Sequence, residues 1–202
     1  MSLELCLASG NPHKAQEFST LLSDNVLKIR PSKSKISVDE TGETFTQNAY
    51  LKAKAYYDQF KQPTLADDSG LVVEDLPDEL GVRSARFGGD GLSDTERCQL
   101  LLSKLEQLGT KATRNAHFVC ILCFYLAPGQ VYFFEGRCQG RISNELKGEE
   151  GFGYDPLFIP IKHPTMESFA SDPQWKELNS HRAKACLQAQ RFFEKQIDRP
   201  LV

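Results

Sequence analysis

The sequence predicts an α/β fold built on a mixed β-sheet, with α+β as the neighbouring class. Three observations predict it. A strand, tight loop and helix follow one another near the N-terminus, capped stretches of helical period alternate with short apolar runs, and two long β-rich segments flank Pro128-Gly129 as one antiparallel hairpin.

Taken in order, Leu3-Glu-Leu-Cys-Leu-Ala8 alternates as a strand, Ser9-Gly10-Asn11-Pro12 stops it, and Ala15, Phe18, Leu21 and Leu22 recur at helical spacing. Asn11 suits the N-cap and Pro12 the first helical position, where a missing N–H costs nothing. After the polar stretch Pro31–Glu43, Thr44-x-x-Gln47 reads as a capping box opening a helix to about Phe60. Phe45, Ala49, Ala53, Tyr56 and Phe60 share one side of it, and Asn48 and Lys52, four apart, share another.

Pro63-Thr-Leu-Ala66 and Leu71-Val-Val73 read as short strands, with a turn at Asp67-Asp68-Ser69-Gly70 between them. Ser93-x-x-Glu96 caps a helix bearing Leu100, Leu101, Leu105 and Leu108, ended by Gly109. The hairpin arms are His117–Ala127 and Val131–Ile142. A glycine-rich loop, Gly148–Gly153, precedes a strand at Asp155-Pro-Leu-Phe-Ile159, and Ser180 can cap a last helix bearing Ala183, Leu187 and Phe193. No repeat or low-complexity block interrupts this order. The expectation is a single domain over residues 1–202 whose two lobes no linker separates.

With 40% hydrophobic residues and 13 Phe among 202, the chain has material for a core without staples. Lys and Arg number 24 against 27 Asp and Glu, a net charge of −3, which excludes the basic excess that tracks a nucleic-acid polymer. The longest apolar run, Phe118–Ala127, is about half a bilayer span, so no membrane partner is expected and the localisation reads as cytoplasmic. The six cysteines read as reduced, and Cys120-Ile-Leu-Cys123 lies in a strand pattern that points its thiols to opposite faces, poor geometry for zinc.

Four segments could carry chemistry. Ser9, Gly10, Asn11, Pro12, His13 and Lys14 form a strand-to-helix loop in which free amides, a positive helix end and an ammonium converge, as a phosphate requires. Asp39-Glu40 before Gly42, and Asp67-Asp68 before Ser69, offer carboxylates to a hard cation that also draws ligands from phosphate and water, or to an attacking water as base. Gly148-Glu-Glu-Gly-Phe-Gly-Tyr-Asp155 sets the π-faces of Phe152 and Tyr154 beside an acid. The fourth segment is Lys176 followed by Ser180-His181-Arg182 opening the last helix, where His181 and Arg182 stand in a first turn that usually carries acids, which suggests an anion supplied from outside.

In this order the segments resemble the inosine triphosphate pyrophosphatase, or Ham1-like, family. The resemblance rests on Ser9–Lys14, Asp39–Gly42, Asn48–Ala53, Ala66-Asp-Asp-Ser-Gly70-Leu, Ser84-Ala-Arg86-Phe, Gly151-Phe-Gly-Tyr-Asp-Pro156 and Ser180-His-Arg182, spread over nearly the whole chain. The approach to Lys176, Phe169-Ala-Ser-Asp-Pro-Gln-Trp175, departs from the Glu-rich helical stretch common in relatives. The resemblance implies an elongated mixed sheet flooring a cleft between two lobes, helices on both sides, and a homodimer. It implies Mg²⁺-dependent hydrolysis of the nucleoside triphosphates ITP, dITP and XTP to monophosphate and pyrophosphate.

By position, the resemblance gives Ser9–Lys14 and Lys52 to the triphosphate, Asp39 and Asp68 to the metal, Asp68 also to activating water, and Ser69 to the substrate beside it. Phe152, Gly153, Tyr154, Asp155, Lys176, His181 and Arg182 fall at base-recognition positions. Whether Glu40, Glu43 or Asp67 joins the metal shell stays open. A Maf-like pyrophosphatase acting on modified or pyrimidine nucleotides, and a nucleotide-binding module without catalysis, are the alternatives.

Overall fold

The computed structural model describes residues 2–197. Eleven regular elements follow the chain: β1 (Leu3–Leu7), α1 (Pro12–Leu21), β2 (Leu27–Pro31), α2 (Phe45–Phe60), β3 (Thr64–Val73), α3 (Asp94–Gln107), β4 (Asn115–Ala127), β5 (Gln130–Ile142), β6 (Phe158–Pro160), α4 (Pro173–Asn179) and α5 (His181–Ile197), with 3₁₀ turns at Gly81–Arg86 and Gly109–Lys111. The strands form one sheet in the order β2-β1-β3-β4-β5-β6. β1 runs parallel to both β2 and β3, and β5 runs antiparallel to β6. Pro128-Gly129 alone joins β4 to β5, too short a link for anything but an antiparallel hairpin. The sheet is therefore mixed, as the sequence predicts.

Capping chemistry sets the helix starts. Asn11 Oδ1 accepts from the amides of His13 (2.9 Å) and Lys14 (3.2 Å), with Pro12 first in α1. Thr44-Gln47 and Ser93-Glu96 both form reciprocal capping boxes.

Two expectations are corrected. The turn assigned to Asp67-Asp68-Ser69-Gly70 does not exist: Thr64–Val73 is one continuous strand, because neighbours on both sides of β3 pair its backbone and override the local turn propensity. The stretch after α1, where no element is expected from the sequence, contains β2. Leu27 and Ile29 alternate there with Lys28 and Arg30, and the terminal Pro31 is tolerated because β2 is an edge strand.

The chain divides into two compact units. The first comprises residues up to Asp68, Cys120–Gly136 and residues from His181 onward; the second comprises Ser69–Val119 and Arg137–Ser180. In the first, Leu5, Leu65 and Phe124 of the sheet bury against Phe18 of α1 and Ala185 and Ala189 of α5. Gly136 of β5 lets α5 approach, since a Cβ there would collide with the carbonyl of His181. In the second unit, Leu71, Leu101, Leu105, Phe118, Phe158 and Phe169 form the core, with the Phe118 and Phe158 rings edge-on at 4.7 Å. All six cysteines are buried free thiols, and burial pushes those of Cys120 and Cys123 up to about 12, so neither is a ready zinc ligand. No described helix is long and apolar enough to cross a membrane.

Candidate functional site

Two adjacent aspartates organise the first unit. Successive side chains leave a strand on opposite sides, so Asp67 and Asp68 serve different helices. Asp67 Oδ2 lies 2.8 Å from Lys14 Nζ on α1 and 3.1 Å from an Arg182 terminal nitrogen on α5. Arg182 also pairs with Glu17, one turn beyond Lys14. Asp67 is 1% exposed and Arg182 likewise 1%. Burial alone would raise the Asp67 carboxyl, but Lys14, Arg182 and Lys52 outweigh it and hold it well below the usual carboxylate range. Burial likewise opposes the Arg182 charge, and Asp67 and Glu17 keep it fixed.

Asp68 meets α2 instead. Lys52 Nζ stands 3.5 Å from Asp68 Oδ1 and 3.1 Å from Glu40 Oε1, so one ammonium joins two carboxylates. Asp68 Oδ2 is buried without a hydrogen-bond partner. Burial, with Glu40 and Asp67 adding to it, prevails over Lys52 and Lys14 and raises the Asp68 carboxyl to about 6. The neighbouring acids thus differ in kind: Asp67 is a fixed anion, Asp68 a carboxyl poised near neutrality. Lys52 is raised despite its burial, because Asp67, Asp68 and Glu40 all favour its charge.

The segment carrying Glu40 is held from α2. Asn48 Oδ1 accepts from the Gly42 amide at 2.8 Å, and Asn48 is fully buried. Asp39 is exposed beside it, so Glu40 rather than Asp39 shares an ammonium with Asp68. Among the described residues no three His, Cys, Asp or Glu side chains gather into a ready metal cage. Two carboxylates, one with an orphaned buried oxygen, do fit a hard cation that takes its other ligands from substrate phosphates and water.

The loop Ser9–Lys14 behaves differently from the anion cradle expected of it. The amides of His13 and Lys14 are turned to Asn11, and the Asn11 amide donates to Ser9 Oγ at 3.2 Å. Its charge comes from Lys14 and from a lysine that sequence reasoning missed, Lys35, whose Cε would lie 2.6 Å from a Cβ at Gly10. Its only sequence signal is its place in the polar stretch. Pro12 and His13 are exposed, whereas His181 is buried at the start of α5.

The second unit holds the aromatic loop. Gly151 adopts φ +83°, and a Cβ there would run into the Asp155 carboxylate. Asp155 Oδ2 accepts from the Phe152 amide at 2.9 Å and from Lys176 Nζ at 2.8 Å, and that ammonium stands 4.7 Å from the Phe152 ring centre. The Tyr154 hydroxyl, by contrast, donates to the Ser84 carbonyl at 2.7 Å and is buried, so its ring is core. The Gly153 amide donates to Asp94 at 2.6 Å. A cavity of about 340 Å³ lies here, lined in part by Asp94, Cys98, Leu146 and Phe152. Ser69, half-buried, also belongs to this unit.

The chain matches the pattern of the Ham1 family over residues 5–192. A protein of Leptospira interrogans named dITP/XTP pyrophosphatase is 40% identical over 201 residues, covering 96% of this chain and 98% of its own. One of the same name from Aquifex aeolicus is 38% identical, covering 91% and 93%. Among solved structures, a HAM1 protein from Coxiella burnetii is 36% identical with a TM-score of 0.85, covering 96% and 99%, and the Staphylococcus aureus Ham1 protein is 34% identical with a TM-score of 0.83 over the same shares. The match over nearly the whole length, carried by relatives well above 30% identity, places one conclusion beyond the motifs: the chain belongs to the Ham1 family.

Proposed function

We propose that this chain is a nucleoside triphosphate pyrophosphatase that hydrolyses deaminated purine nucleotides, dITP, ITP and XTP, to the monophosphate and pyrophosphate; relatives named dITP/XTP pyrophosphatase support the activity and two of these substrates. The observation that carries the proposal is the pairing of unlike carboxyls on β3. Asp68, with one buried oxygen unpartnered and the other beside the Lys52 ammonium, is the carboxylate placed to take a proton from water.

Lys14, fixed by Asp67, and Lys52, fixed by Glu40 and Asp68, hold the triphosphate and neutralise the leaving pyrophosphate as its charge develops. Ser9 and Asn11 keep the loop in shape. Asp68 and Glu40 would hold a divalent cation, Mg²⁺ by preference, which when bound supplies charge neutralisation at the phosphates. Asp68 takes the proton of the water attacking the α-phosphorus.

Phe152 gives the base a stacking face, while Lys176 supplies donors and Asp155 an acceptor. A donor aimed at a 6-oxo group is left unpaired by the 6-amino group of adenine, which penalises that substrate. Arg182, committed to Asp67 and Glu17, enters through its hold on Asp67. The reaction site is tested by hydrolysis of dITP in heavy-oxygen water: label in the monophosphate supports attack at the α-phosphorus, and label in the pyrophosphate refutes it.

A further inference from the structure

α4 is only seven residues long, below the length at which a helix holds by its own propensity, yet it carries Lys176. Its start is fixed by Asp172, whose Oδ1 accepts from the Trp175 amide at 2.9 Å. The other carboxylate oxygen lies 3.2 Å from Nε2 of His163. His163 Nδ1 accepts from the amides of Glu167 at 3.2 Å and Thr165 at 3.3 Å. An Nδ1 that accepts bears no proton, so the ring proton sits on Nε2 and is donated to Asp172. The imidazole is 2% exposed and lies against the Trp175 ring at 4.9 Å. The chain also wraps it: Met166, at a left-handed φ of +58°, donates its amide to the His163 carbonyl.

We infer that His163 is a positioning residue for substrate selection: through Asp172 it fixes the first turn of α4 and so sets Lys176 against Asp155 and Phe152. The inference rests on the proposed role of Lys176 in reading the base. His163 touches none of the groups given to the substrate. It acts by fixing one tautomer, one cap and one helix start. No sequence motif marks His163, whose partner lies nine positions away across a turn.

The test compares wild type, His163→Ala, Lys176→Ala and the double variant in the ratio of kcat/KM for dITP to that for dATP, alongside Tm and the emission of Trp175, the only tryptophan. Displacing a contact by an ångström is enough to lower the ratio about tenfold or more. The expected result is that His163→Ala lowers it, shifts the Trp175 emission, and adds little in the double variant, since both act on one contact. A variant Asp172→Asn, which keeps a capping oxygen but faces His163 Nε2 with a donor, should lower the ratio in the same direction. If Lys176→Ala lowers the ratio and His163→Ala leaves it unchanged, the positioning role falls and the base-reading role stands. If Lys176→Ala itself leaves the ratio unchanged, both fall. A lower Tm with an unchanged ratio marks His163 as a structural residue only and overturns the inference.

Discussion

Lys14 and Arg182 meet on a single oxygen of Asp67, at 2.8 and 3.1 Å, although 168 positions separate the two cations (182 − 14). That oxygen joins the N-terminal helix, the central strand and the last helix in one buried contact, and it fixes the position of the lysine proposed to hold phosphate.

Removing the charge at Asp67 should therefore cost both stability and binding. Asp67→Asn takes the charge of one buried carboxylate away from buried Arg182, and breaking a buried pair from one side costs about 3–5 kcal/mol. Because the carboxyl is held far below its ordinary 3.8, the native state binds fewer protons than the unfolded chain at low pH. Its contribution is complete at neutral pH and is lost as pH falls through and below about 4. Thermal melts should show wild-type Tm falling more steeply between about pH 5 and 3 than that of Asp67→Asn; parallel curves would refute the account.

Asp68→Asn should do the opposite. A carboxyl raised to about 6 is disfavoured as an anion, so it lowers stability as pH rises from about 4 to 6 and lowers it most above 6. The amide removes that penalty, which has an upper bound of about 2–3 kcal/mol, while it cannot take a proton from water. At pH 8 the variant should lose at least about a hundredfold in kcat and show an equal or higher Tm. Retained activity would remove Asp68 from the proposed chemistry.

Gly151→Ala tests the aromatic loop. The added methyl meets the Asp155 carboxylate at a φ of +83°, where L side chains are strained. The cost should be about 1–3 kcal/mol. The Asp155–Lys176 contact should loosen, narrowing the gap between dITP and dATP turnover while kcat on dITP falls less than KM rises. Unchanged selectivity would separate this loop from base recognition.

Chelation separates catalysis from folding. The Lys52 ammonium pairs with both Glu40 and Asp68 and so holds the two carboxylates itself; excess EDTA should abolish turnover yet leave circular dichroism and Tm within about a degree. Loss of structure on chelation would make the metal a folding element.

Local chemistry made much of this legible. Caps at Asn11, Thr44 and Ser93 are read from one side chain and a nearby amide, and each stands where the spacing predicts. Asp67-Asp68-Ser69-Gly70 misled because turn propensity is a short-range signal, whereas pairing with neighbours distant in sequence decides a central strand. The two-unit division falls within β3, β4 and β5 and at the one-residue junction of α4 and α5, with no linker at any of these points, so composition could not mark it. At the site, residue types pointed to Lys14, Lys52 and Asp68. Alternation on β3 alone could not say that Asp67 would be held by Arg182 and Glu17, nor that Glu40, not Asp39, would share Lys52 with Asp68, because those pairings depend on helix packing.

The most direct test is pyrophosphate release from dITP, XTP, dATP, dGTP, dTTP and UTP under Mg²⁺, repeated with excess EDTA. Turnover of dITP and XTP orders of magnitude above the rest, lost on chelation, is the predicted result. Preference for a pyrimidine nucleotide, or binding of dITP without pyrophosphate release, would contradict the account.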